Sequence, residues 1–190
     1  MPKKRLTVNE VAAYCGVNFI AVRQWIRSGA LPATQIPGRP DHQIELEDFI
    51  AFLRDRKKPV PKELLVTGQR VLIVEDDEPM VRLIEEHLRK AGFETVAARD
   101  GFIAGAMLES ARPTLMTLDI LMPGLDGLGV LRFIRERDHL KDTRILVVSA
   151  LPQPKLDEAL QAGADDTLRK PFEPEVLVGK LYALAGIPPA

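Results

Sequence analysis

One cysteine in 190 residues, Cys15, leaves no internal disulfide and no cysteine-based metal cluster to be built. Also missing is any run near the roughly 18 consecutive apolar residues that a membrane helix needs. The opening stretch, MPKKRLTVNE, is basic but carries none of the apolar core of a secretory signal. These absences exclude a disulfide-stapled scaffold and a membrane span. A cytoplasmic protein with no membrane partner is the expectation. A large net charge is absent too, since the formal value is −1.

That near-neutral total hides an asymmetry. Residues 1–69 hold 11 Lys and Arg against 7 Asp and Glu, whereas residues 70–190 hold 15 against 20. A basic front part suits a polyanionic partner, and an acidic rear part suits a cation. Either imbalance alone is compatible with a solvated surface, but together they point to two modules. With 46 % hydrophobic content the chain can fill one large or two small cores.

The division falls at DRKKPVPKELLVTGQ, residues 55–69, which combines charge, two closely spaced prolines and no sustained periodicity. It reads as a linker between a domain at 1–54 and another at 70–190, with Leu64, Leu65 and Val66 available to dock on a neighbour.

Beyond it, apolar strand runs alternate with helical stripes. RVLIVEDD predicts a strand covered on both faces, and PMVRLIEEHLRKAG predicts a helix with Val81, Ile84, Leu88 and Ala91 inward. FETVAA, TLMTLDI, RILVVSA and DDTLRK supply four more strands, and Asp100 can cap the helix DGFIAGAMLESA. Short connections and all-apolar strands imply an α/β fold with a five-stranded, doubly wound parallel sheet. Ligands of such sheets bind beyond the carboxyl ends of the strands. Those ends carry Glu75, Asp76, Asp119, Ser149 and Lys170.

Clustered carboxylates need a neutralising cation. Oxygen ligands with no histidine nearby suit Mg²⁺. A carboxylate such as Asp119 attacking a phosphoryl group needs charge neutralisation and in-line positioning more than acid–base help. Lys170 would supply a second positive charge, and the Ser149 hydroxyl could donate to a phosphoryl oxygen.

The segments VLIVEDDEP, LDILMPGLDG, VVSA and GADDTLRKPF resemble, in order, the receiver domain of bacterial two-component response regulators, which is flavodoxin-like in fold. The resemblance implies that Asp119 is the phosphoacceptor, served by a sensor histidine kinase or a phosphotransfer protein. It implies that Glu75, Asp76, Asp119 and the backbone carbonyl of Leu121 hold Mg²⁺, with Asp76 the more direct ligand of the acidic pair. Ser149 corresponds to the switch hydroxyl and Lys170 to the invariant lysine, with a cis bond before Pro171. One departure stands out: Thr167 occupies the switch position where Tyr or Phe is usual. By this reading the chain is not an enzyme beyond self-catalysed phosphorylation and dephosphorylation. A metal-dependent phosphatase would need a second acid where Leu121 stands.

In the front part, Thr7 with Glu10 forms a capping-box pattern, and Val8, Val11, Ala12 and Cys15 follow at helical spacing. Asn18 can cap a second helix, FIAVRQWIRSG, that buries Val22, Trp25 and Ile26. LPATQIPGRPDHQI reads as a hairpin wing. ELEDFIAFLRDR closes the module with Leu46, Phe49, Ile50 and Leu53 inward. The segments LTVNEVAAYCGV, VRQWIRSGALPA and LEDFIAFL resemble the excisionase and MerR-type winged helix-turn-helix. That resemblance implies double-stranded DNA as partner, with Asn18, Arg23, Gln24 and Arg27 on the second helix and Arg39 on the wing as contacts. Arg and Gln can read guanine and adenine or simply hold phosphate. Gln24 and Asp41 depart from the usual basic character, and Ile20 is an apolar residue on the same face. A surplus of four positive charges gives modest affinity, so a homodimer or several linked sites would be needed. The expected whole is a response regulator whose phosphorylation controls DNA binding and transcription. The rivals are a signalling adaptor whose front module binds protein, and a DNA-architectural or recombination accessory protein.

Overall fold

The computed structural model describes residues 5–124 and 126–187. The outermost ends of the two expected domains, residues 1–4 and 188–190, lie outside the described residues. Two compact units meet in sequence between Thr67 and Gly68.

In the first unit, β1 (Arg5–Thr7) leads into α1 (Val8–Cys15) and α2 (Phe19–Arg27). These are followed by β2 (Thr34–Gln35), β3 (His42–Glu45), α3 (Leu46–Asp55) and the short α4 (Lys62–Leu65). The capping box is present: Thr7 Oγ1 accepts from Glu10 N–H, and the Glu10 carboxylate accepts from Thr7 N–H at 2.7 Å. Gly16, at φ 63°, adopts without strain the left-handed conformation by which the chain leaves α1. Asn18 caps α2 by accepting from Ala21 N–H. The wing hairpin pairs Thr34 with Gln43 and Gln35 with His42.

Two features of this unit differ from the sequence reading. The first is β1, which pairs with β3 and inserts Leu6 opposite Ile44; three residues with one inward side chain leave no periodic signal. On α3, Phe52 is buried beside Phe49 and Leu53, while Ile50 is only half-buried. The reason is geometric, since Phe52 packs on the Trp25 ring at 4.9 Å. In the stretch 55–69, residues 55–59 are exposed, whereas Leu64 docks into the first unit's core with half-buried Val60 beside it, since solvating a Leu side chain would forgo about 1.5–3 kcal/mol.

The second unit alternates strictly. Its elements are β4 (Arg70–Val74), α5 (Glu78–Lys90), β5 (Glu94–Ala98), α6 (Gly101–Ala111) and β6 (Leu115–Leu118). After these come α7 (Gly127–Arg135), β7 (Arg144–Ser149), α8 (Gln153–Gln161), β8 (Asp166–Arg169) and α9 (Pro174–Leu184). All neighbouring strands pair parallel in the order β5-β4-β6-β7-β8, the expected doubly wound sheet. Leu72, Met116, Leu118, Ile145 and Val147 face α6, α7 and α8, while α5 and α9 contact the sheet from its other side. Asp100 caps α6 through Ile103 N–H, as expected. Among the described residues, no helix is long and apolar enough to cross a membrane.

Arg135, at the end of α7, ties this unit together. Its guanidinium donates to the carbonyls of Gly163, Lys141 and Thr143 at 2.8 Å each and to Asp165 Oδ2 at 2.6 Å. Asp165 in turn accepts from Ile145 N–H at 2.7 Å. Arg135→Ala is expected to cost about 3 kcal/mol, since it strips several part-buried acceptors of a charged donor. A lower urea midpoint at unchanged slope is the expected readout, and Arg135→Lys should recover little because one ammonium cannot span the same fork.

Candidate functional site

The parallel register brings the strand ends level. Asp119 N–H donates to Val74 O at 2.9 Å, and Glu75 N–H to Ala98 O at 3.1 Å. Lys170 N–H donates to Ser149 O at 2.9 Å. Each ladder thus continues one residue past its strand and delivers a polar side chain to the same edge. β4 and β6 flank the point where the winding of the sheet reverses, so Glu75 and Asp119 lie at the topological switch.

There Asp119, 6 % exposed, has both carboxylate oxygens engaged. Oδ1 accepts from Leu121 N–H at 2.7 Å and from the fully buried Ser149 hydroxyl at 2.8 Å. Oδ2 accepts from Lys170 Nζ at 2.7 Å, and the same ammonium donates to Glu75 Oε2 at 2.6 Å. Burial pushes the Glu75 carboxyl above its ordinary range, outweighing the opposing pull of Lys170. Burial acts to lower the Lys170 ammonium, but its hydrogen bonds to Asp119 and Glu75 prevail and raise it. Two buried carboxylates therefore share one ammonium, and the pocket keeps an unmet negative charge.

Asp76 is exposed, and among the described residues no three His, Cys, Asp or Glu side chains come close enough together to hold a metal ion. Lys170 takes the space between Glu75 and Asp119 that a shared cation would otherwise fill. The donor set still fits a hard divalent ion, being all oxygen and short of positive charge.

Comparison with known proteins decides the family. The response regulator receiver domain matches residues 71–182, more than half of the chain. The chain belongs to that family. A helix-turn-helix domain matches residues 5–57. Over 122 residues the chain is 41 % identical to the transcriptional regulatory protein PrrA of Mycobacterium tuberculosis, covering 63 % of this chain and 51 % of PrrA. It is 39 % identical to the protein PetR of Rhodobacter capsulatus over 115 residues, covering 60 % of this chain and 47 % of PetR. The chain thus spans about half the length of the curated relatives it matches. The signal receiver domain of a response regulator from Bermanella marisrubri superposes with a TM-score of 0.59 at 41 % identity, covering 62 % of this chain and 98 % of that one.

Within the receiver unit, the structure brings Asp119, Ser149, Lys170 and Glu75 into direct contact and leaves Asp76 at the rim. Leu121 is largely exposed beside Asp119 and touches it through its backbone N–H. Thr167 lies half-buried on β8, opposite Val147 of β7. The bond before Pro171 is cis. Sequence reasoning passed over Gly127, at the start of α7. A Cβ there would lie 2.4 Å from Ile120 Cβ, so this glycine lets the loop after Asp119 close against the helix. The pair of glycines in DGLG was its only signal.

The predicted nucleic-acid contacts belong to the first unit. Ile20, Arg23, Gln24 and Arg27 form one outward stripe of α2, at i, i+3, i+4 and i+7, with Val22 buried behind them. Asn18 commits its side-chain oxygen to the α2 cap. Arg39 is exposed on the wing turn, where its backbone N–H donates to Ile36 O. Asp41 and His42 flank Arg23, a grouping that the linear order of the wing does not reveal.

Proposed function

We propose that the chain is a cytoplasmic, DNA-binding response regulator. A sensor histidine kinase or a phosphotransfer protein passes a phosphoryl group to Asp119, and this controls binding of the front unit to double-stranded DNA and hence transcription. The observation that carries this reading is the Asp119 carboxylate, buried at the switch point and held by Ser149, Leu121 N–H and Lys170. In the transfer, a carboxylate oxygen forms a bond to phosphorus while the phosphorus–nitrogen bond of a phosphohistidine breaks, and the imidazole leaves with a proton. Lys170 offsets the charge on the phosphoryl oxygens, and Ser149 Oγ is placed to donate to one of them. Mg²⁺ held by Asp76, Asp119 and the Leu121 carbonyl, with Glu75 beside them, would neutralise further phosphoryl charge. The chain is then the recipient of a phosphoryl group and turns over no separate substrate. A homodimer would give the front unit the affinity that its small positive charge does not supply alone.

Exposed Phe19 and Ile20 on α2 favour a second reading, an adaptor whose front unit binds protein. The two separate by experiment. Incubation with a labelled acyl phosphate and Mg²⁺ should mark the full chain, and Asp119→Asn should abolish the label. A labelled protein that shows no salt-dependent affinity for duplex DNA would favour the adaptor. An unlabelled one would end the signalling account.

A further inference from the structure

Between α2 and the wing lies a groove whose polar side chains are not explained by the outward stripe of α2. Arg23 spans it, with a cavity of about 400 Å³ on one side and about 240 Å³ on the other, and His42 lines both. The guanidinium is drawn toward the wing: Nη2 stands 3.8 Å from Asp41 Oδ1, and Cζ lies 5.6 Å from the Phe19 ring centre. That separation is too long for a hydrogen bond, and both partners are well exposed, so the pair is a weak one that aims the side chain. Two nitrogens in the groove are also shut off from solvent without a hydrogen-bond partner, Arg23 Nε and His42 Nδ1. Enclosed in this way, they leave the exposed Nη nitrogens of Arg23 as the donors that a ligand bearing anionic oxygens would meet. Arg39 adds a second guanidinium at the rim of the larger cavity. Gln24 and Arg27 are exposed, and Arg27 borders the smaller cavity without an ion pair to the wing.

We propose that this groove is a backbone-phosphate site. Arg23 grips one phosphate of duplex DNA through its Nη nitrogens, with His42 behind it and Arg39 beside it. Asp41 opposes the grip on every sequence alike, so that net affinity depends on base contacts made by the rest of α2. Base reading then falls to Gln24, Arg27 and Ile20. This rests on the front unit being a DNA-binding module and adds to that reading the division of labour among its residues.

The test uses the full chain on two probes, a random-sequence duplex pool and the sequence that the wild-type protein enriches from it, titrated against salt. Arg23→Ala should weaken binding to both by about tenfold and flatten the slope of log K against log salt by about 0.9. Asp41→Asn, at an exposed position that does not threaten folding, should tighten both by about threefold to tenfold. Gln24→Ala should instead alter which sequence is enriched. A change of preference at one base position in Arg23→Ala would overturn the proposal, as would unaltered affinities in both Arg23→Ala and Asp41→Asn. Wild-type protein that fails to bind either duplex at low salt would reject the DNA-binding reading itself, and this site with it.

Discussion

Beryllofluoride with Mg²⁺ should raise the Tm of the receiver unit by roughly 10 °C, and Asp119→Asn should erase the rise. The mimic would place a tetrahedral, anionic group on the Asp119 carboxylate, where Lys170 Nζ and Ser149 Oγ already converge within 2.7–2.8 Å. A ligand that binds only the folded state stabilises it by about 2.7 kcal/mol at a hundredfold excess over its Kd. In a unit of this size that corresponds to the stated shift. Mg²⁺ alone should give a smaller rise, because it supplies the missing positive charge without the new bond. Scanning calorimetry on the two proteins, with and without the mimic, decides the matter. An equal rise in Asp119→Asn would place the phosphoacceptor elsewhere.

Lys170→Met is the second large effect, and it should depend on pH. Glu75 and Asp119, 2 % and 6 % exposed, share that one ammonium, and removing one partner of a buried ion pair costs about 3–5 kcal/mol. The raised Lys170 ammonium contributes fully below its ordinary value of 10.5, so in the wild type this support persists through neutral pH and is lost only in alkali. Glu75 has the same sign in a lower window. Its carboxyl is raised by burial, so the folded state prefers it protonated, and that contribution is lost as pH climbs above the usual carboxyl range. Without Lys170 the penalty on Glu75 deepens. The deficit of the variant should therefore be smaller near pH 4 than near pH 7. Urea unfolding at both values tests this, and an equal deficit at each would show that the lysine acts through packing of its stem.

Much of both units could be read directly because the signals are local. Val71, Leu72, Ile73 and Val74 are fully buried and had no polar alternation to confuse them, and Asp100, Thr7 and Asn18 announce their caps by residue type and spacing. What escaped depends on partners far along the chain. Leu6 becomes a strand residue only because Ile44 lies opposite it, and Phe52 turns inward only because Trp25 offers it a ring. At the pocket, the residue types marked the strand ends, but no spacing tells that Lys170 will stand between Glu75 and Asp119 while Asp76 faces water. The Arg135 fork was equally hidden, since three of its acceptors are main-chain carbonyls that any residue could have supplied.

The position of Ser149 in the strand order has a mechanical consequence. Asp119 follows the middle strand, clamped by β4 and β7 on either side, whereas Ser149 ends β7, whose outer neighbour β8 is paired along one side only. A tug on the hydroxyl therefore meets unequal resistance: the inboard flank is braced, and the outboard flank can yield at the expense of one ladder. Displacement started at the carboxylate should spill toward the margin that carries Thr167, Asp166 and the Lys180 ion pair. Amide exchange along β8 should quicken or slow with occupancy of the pocket while β5, on the opposite margin, stays indifferent.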